Sequence, residues 1–155
     1  TQPLSAVEVA CPAVALAQTA PLNHAHPHPA DAAGWQLTWA NAGHPPPLLS
    51  RPSGQAERLD GHDFMLWPGL PGNHRTDRQH LLAPGDTLLL YTDGLVERRG
   101  GDVDAAIDLA PAILAAAPAG QPLPGLLDLL ISQVADPDGA DDIVLLAVRI
   151  PGPAR

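Results

Sequence analysis

The stretch LLLYTDGLVERR, residues 88–99, decides how this chain is read. Leu88, Leu89, Leu90 and Tyr91 make an apolar run suited to a buried strand, and the run stops on Asp93 followed by Gly94. A second stretch, DDIVLLAVRI at residues 141–150, has the reverse layout, with Asp141 and Asp142 ahead of the apolar run. One strand ends in an aspartate where the other begins in one. If the second strand returns antiparallel beside the first, these acidic ends share one edge of a sheet.

The rest of the chain sets that pair in an α+β frame. WQLTWA, residues 35–40, alternates and puts Trp35, Leu37 and Trp39 on one strand face, with turn chemistry in Asn41, Gly43 and His44. Short strands are expected at residues 48–50 and 56–59. A Gly- and Pro-rich loop follows at 60–77, anchored by Phe64, Leu66 and Trp67. Residues 78–82 resume a strand, APGD at 83–86 is a tight turn, and 87–92 runs back. Then the period changes. Residues 103–117 are helical in composition but interrupted by Pro111, and Asp102 and Asp104 suit the positive end of that helix. Residues 124–134 form a cleaner helix with Leu123, Leu127, Leu130 and Val134 on one face. Strands, then two helices, then one strand argue for an antiparallel sheet system covered by helices.

Composition narrows the function. At 155 residues the chain is expected to form one domain with a real core. Eight arginines, no lysine and 17 acidic residues leave no basic face, which argues against nucleic acid and anionic membrane as partners. The lone Cys11 cannot form an internal disulfide, and no apolar run approaches the roughly 20 residues of a membrane span. The expectation is a soluble, cytoplasmic protein. Residues 1–33 are rich in Ala, Pro and His; they read as a poorly ordered or edge-strand segment, the HAHPHP run at 24–29 as a linker rather than a metal site. Residues 34–151 are the expected folded domain and 152–155 a tail. The chain opens on Thr1, which suggests trimming or a fragment.

Two carboxylates about 4 Å apart at an effective dielectric near 20 repel by roughly 4 kcal/mol, a large share of a domain's stability. Either a shared proton or a hard divalent cation with oxygen ligands would relieve this, and Mg²⁺ or Mn²⁺ is the favoured choice. Gly94 lets the backbone come close after Asp93, and its carbonyl could add a ligand.

Three motifs in series carry a resemblance: ANAGHPPPLL at 40–49, LAPGDTLLLYTDGLVERR at 82–99 and GADDIVLLAVR at 139–149. Together they resemble the carboxy-terminal part of a PPM-type, metal-dependent protein phosphatase of the bacterial SpoIIE-like branch. The resemblance covers residues 35–150. It implies a β-sandwich flanked by helices and hydrolysis of phosphoserine or phosphothreonine on a regulatory protein, such as an anti-sigma-factor antagonist in partner-switching signalling. It also implies a pair of Mn²⁺ or Mg²⁺ ions around a bridging water, with Asp93 and Asp141 as metal ligands and no covalent enzyme intermediate.

One part of the family pattern is missing. Nothing between Thr1 and Gly34 matches the upstream Gly-Asp metal motif or the Gly-His-Gly helix start. The acids expected here, Asp93 and Asp141 with Asp142 as a third at most, are too few for two ions, so this chain alone is expected to hold one or none. A fragment of a longer phosphatase ranks first, ahead of a degenerate relative and an altered one-metal enzyme. A catalytically inactive phosphatase-like regulatory module is the rival function. Asp142 is a candidate to orient Asp141, His44 a candidate base on the substrate side, and Arg98 a candidate phosphate partner.

Overall fold

The computed structural model describes residues 7–10, 14–21, 35–65, 75–97, 101–137, 139 and 141–151. The chain divides into two compact units, one of residues 1–44, 61–85 and 150–155, the other of residues 45–60 and 86–149.

The first unit is a four-stranded antiparallel sheet. Strands β1 (Val7–Ala10), β2 (Val14–Pro21), β3 (Trp35–Ala42) and β6 (Arg78–Leu82) lie in that order across it. β2 pairs with β3 along eight residues, from Val14 opposite Ala42 to Pro21 opposite Trp35. The passage read as one edge strand is therefore two strands, with β2 inside the sheet. On β3 the expected alternation holds, with Leu37 and Trp39 buried. Asn41 then closes the strand end: its side chain accepts from the His44 N–H at 2.9 Å and donates to the His44 carbonyl at 2.8 Å. This side chain substitutes for backbone partners where Gly43, at φ +76°, reverses the chain.

The second unit carries a four-stranded antiparallel sheet in the order β5 (Ala56–Arg58), β4 (Leu48–Ser50), β7 (Thr87–Tyr91), β8 (Leu145–Arg149). β7 is buried at every residue, as an interior strand with an uninterrupted apolar run should be. Each fully buried leucine in it contributes about 2 kcal/mol, so β7 is where this unit is pinned. β8 is half-buried throughout, as befits an edge strand.

Helices α1 (Val103–Ala116) and α2 (Leu123–Val134) join Leu48, Leu89 and Tyr91 in one core cluster. Asp102 caps α1, its carboxylate accepting from the backbone N–H of Asp104 at 3.0 Å. α1 does not break at Pro111. The proline removes one backbone bond, a cost of about 3 kcal/mol in an isolated helix, but Ala106, Ala110, Ile113 and Leu114 are buried on either side of it and hold the helix together. On α2 the buried stripe is Leu126, Leu130 and Val134, spaced four apart, rather than a stripe through Leu123. The observed class is α+β, with two antiparallel sheets and two helices.

Candidate functional site

The site is built where β7 and β8 end together. The two strands pair antiparallel with Tyr91 opposite Leu145, so the segment after β7 faces the segment before β8. Thr92 opposes Val144, one step beyond the ladder. Its N–H donates to the Val144 carbonyl at 3.0 Å, continuing the strand pairing. Its carbonyl is diverted to accept from the Leu95 N–H at 3.1 Å, which starts a 3-10 turn over Asp93–Leu95. The Thr92 hydroxyl then takes the carbonyl's place. It accepts from the Val144 N–H and donates to the Asp142 carbonyl, both at 3.0 Å.

Gly94 follows from the same packing. A Cβ at this position would stand 2.6 Å from the Asp142 carbonyl oxygen and 3.2 Å from that of Asp141. Only glycine lets the turn press onto the 141–142 backbone. The Gly94 N–H donates to the Asp93 carboxylate at 3.1 Å, which orients that side chain over its own turn.

The turn also determines which acids reach solvent. Thr92, Gly94, Leu95 and Val96 are buried, whereas Asp93 and Glu97 are exposed. The Glu97 N–H donates to the Asp93 carbonyl at 2.8 Å, an i to i+4 spacing that puts both side chains on one side of the turn. The negative charge of Asp141, and to a smaller extent that of Asp93, holds the Glu97 pKa above the ordinary glutamate value. Glu97 thus senses carboxylates from both segments.

Of the residues singled out from sequence, Asp93, Gly94, Asp141 and Asp142 lie at this one strand end. What Asp142 offers the site is its backbone carbonyl, the acceptor for Thr92 and the neighbour of Gly94. His44 belongs to the first unit and is buried, at 5% exposure. Arg98 lies outside the described residues, as do Leu66, Trp67, Cys11 and the 24–29 run. Glu97 was missed by the sequence reading. The signal for it was present in TDGLVE, because a carboxylate four residues after Asp93 returns to the same side of a tight turn.

The donors fit a hard divalent cation in kind: all are carboxylate or carbonyl oxygens, and the raised Glu97 pKa marks a concentration of negative charge that a cation would relieve. Among the described residues, however, no three acidic, His or Cys side chains are gathered around one point.

Comparison with known proteins agrees with this architecture. The family model for Stage II sporulation protein E (SpoIIE) matches residues 25–151. Among solved structures, the RsbU and RsbW domains of a Mycobacterium tuberculosis protein match with a TM-score of 0.60 at 21% identity, over 97% of this chain and 56% of that one. The phosphatase domain of the cell fate determinant SpoIIE from Bacillus subtilis matches at 0.56 and 14% identity, over 98% of this chain and 61% of that one. The same B. subtilis domain in a Mn-presoaked crystal matches at 0.57 and 19% identity, over 89% and 58%. This chain therefore spans a little over half the length of those structures and shares their fold. With a family match over most of its length and that fold, the chain belongs to the SpoIIE family.

Proposed function

We propose that this chain forms part of a Mn²⁺- or Mg²⁺-dependent protein phosphatase that acts on phosphoserine or phosphothreonine of a cytoplasmic regulatory protein. The substrate class is that of an anti-sigma-factor antagonist in bacterial partner switching. The observation that carries the reading is the antiparallel pairing of β7 with β8, in which the Thr92 hydroxyl and Gly94 tie the Asp93 turn to the segment that begins at Asp141. Family membership and the Mn-presoaked B. subtilis relative support it.

Asp93 and Asp141 would hold the ion, with Glu97 and the Gly94 carbonyl as further oxygen donors. The bound cation would supply a water acidified enough to attack phosphorus near neutral pH, together with positive charge for the phosphoryl oxygens. The residues of the chain itself orient and expose these groups. Buried Gly94, Leu95 and Val96 fix the turn while its acids face solvent, where a phosphorylated segment of another protein can reach them. Among the described residues no helix is long and apolar enough to cross a membrane.

The test is release of phosphate from a phosphoserine-bearing antagonist protein by the purified chain, with Mn²⁺ and with EDTA. Mn²⁺-dependent release that is lost in Asp93→Asn and Asp141→Asn supports the reading. Tight binding of the phosphoprotein without turnover would make the chain a catalytically inactive regulatory module instead.

A further inference from the structure

The geometry at the β7–β8 end points to Thr92 as a positioning residue: its hydroxyl sets the separation of the Asp93 turn and the 141–144 segment, so that one divalent cation can reach carboxylates from both. This inference deepens the metal reading above and rests on it.

The argument begins with a conflict at the strand end. An antiparallel pair of this kind exchanges two backbone bonds, N–H to carbonyl in each direction. At Thr92 and Val144 only one of the two is available, because the Thr92 carbonyl is occupied by the Leu95 N–H. Without a substitute, the Val144 N–H would lose its acceptor and the 141–144 segment would be free to splay from the turn. The hydroxyl resolves this by accepting from Val144, and its own proton goes to the Asp142 carbonyl. Both bonds join residues 50 and 52 positions apart in sequence, and Thr92 is only 8% exposed. The Asp142 carbonyl so held is the one against which Gly94 presses. Thr92 therefore fixes a backbone separation on which Asp93 and Asp141 both depend, while its hydroxyl bonds to neither carboxylate.

The isosteric Thr92→Val removes the hydroxyl and keeps the shape; Thr92→Ser keeps the hydroxyl. The readout is Mn²⁺ affinity of the full chain, measured from the electron paramagnetic resonance signal of free Mn²⁺, which requires no turnover. Thr92→Val is expected to raise the Kd about tenfold, the equivalent of one net hydrogen bond, and Thr92→Ser to stay within about twofold of the native chain. A second measurement uses the native chain alone. Coupling is reciprocal, so if the clamp favours the ion, the ion must tighten the clamp. Mn²⁺ should slow hydrogen exchange of the Val144 amide and leave that of Leu82, on β6, unchanged.

Native affinity in Thr92→Val overturns the proposal, as does an equal loss in Thr92→Ser, which would assign the effect to packing. Should Thr92→Val fail to fold, the Val144 exchange decides, and unchanged protection on Mn²⁺ addition overturns the clamp. A native chain that binds no Mn²⁺ sinks the metal reading and the clamp with it, whereas native binding with unaltered Thr92→Val affinity sinks the clamp alone.

Discussion

Asp63 in the first unit and Glu97 in the second both follow closely on a strand, yet their protons are held in opposite senses. The Asp63 carboxylate accepts from the Thr76 N–H at 2.9 Å and faces the Arg78 guanidinium at 3.4 Å, and these partners hold its pKa below the ordinary aspartate value. Gly61 leaves the space that the Arg78 side chain fills. Glu97 instead faces the negative charge of Asp141 and, more weakly, of Asp93, and its pKa is raised. The first arrangement is complete within the polypeptide. The second concentrates negative charge at a solvent-facing strand end, and the sign of the shift separates an acid paired with a cationic partner from one that faces like charge.

The largest expected effect that could break this contrast is that of the ion itself. At a Mn²⁺ concentration of 100 times Kd, linkage gives about 2.7 kcal/mol of stabilisation, reversed by EDTA. Thermal melting should show this in the native chain and not in Asp93→Asn or Asp141→Asn; equal stabilisation in all three would remove the site. Next is Gly94→Ala, where the new methyl meets backbone rather than a yielding side chain. Overpacking of this kind costs about 2 kcal/mol in chemical denaturation, and Mn²⁺ affinity should fall with it. Asp63→Asn sharpens the comparison from the other side. It should lower the melting temperature less than Gly94→Ala does and leave Mn²⁺ affinity unchanged, because the partly buried pair is replaced by an amide whose oxygen still accepts from the Thr76 N–H.

The smallest effect lies in the pH dependence of stability without metal. Glu97 binds its proton more tightly folded than unfolded, so its contribution is present below the unfolded pKa and is lost as pH rises through the folded value. Asp63 has the opposite sign: its contribution is present above the unfolded pKa and is lost as pH falls through the folded value. In melting temperature against pH, Glu97→Gln should flatten the decline on the rising side of the carboxylate range, and Asp63→Asn the decline on its acid side. Identical profiles for the two variants would erase the distinction.

Much of the second unit was legible because its signals are local. A continuous apolar run marks β7 as interior, Asp102 before an apolar-periodic stretch marks the start of α1, and an apolar run behind paired aspartates marks β8. The misreadings arose where tertiary burial outweighs local preference. Pro111 would end an isolated helix, but the buried residues around it keep α1 continuous. Residues 7–10 and 14–21 carry an Ala- and Pro-rich composition unlike a sheet interior, yet β2 gains a full set of backbone partners from β3.

The α+β order, the two acidic strand ends and the glycine after Asp93 were readable along the chain, because strand period, helix caps and turn residues are properties of neighbouring residues. Folding was needed for the Asp141 charge to reach Glu97, for the Thr92 hydroxyl to replace a carbonyl opposite Val144, and for the backbone of Asp142 to require Gly94. Those relations join residues some 44 to 52 positions apart, and they exist only once two strands have paired in one register, which local chemistry favours but does not specify.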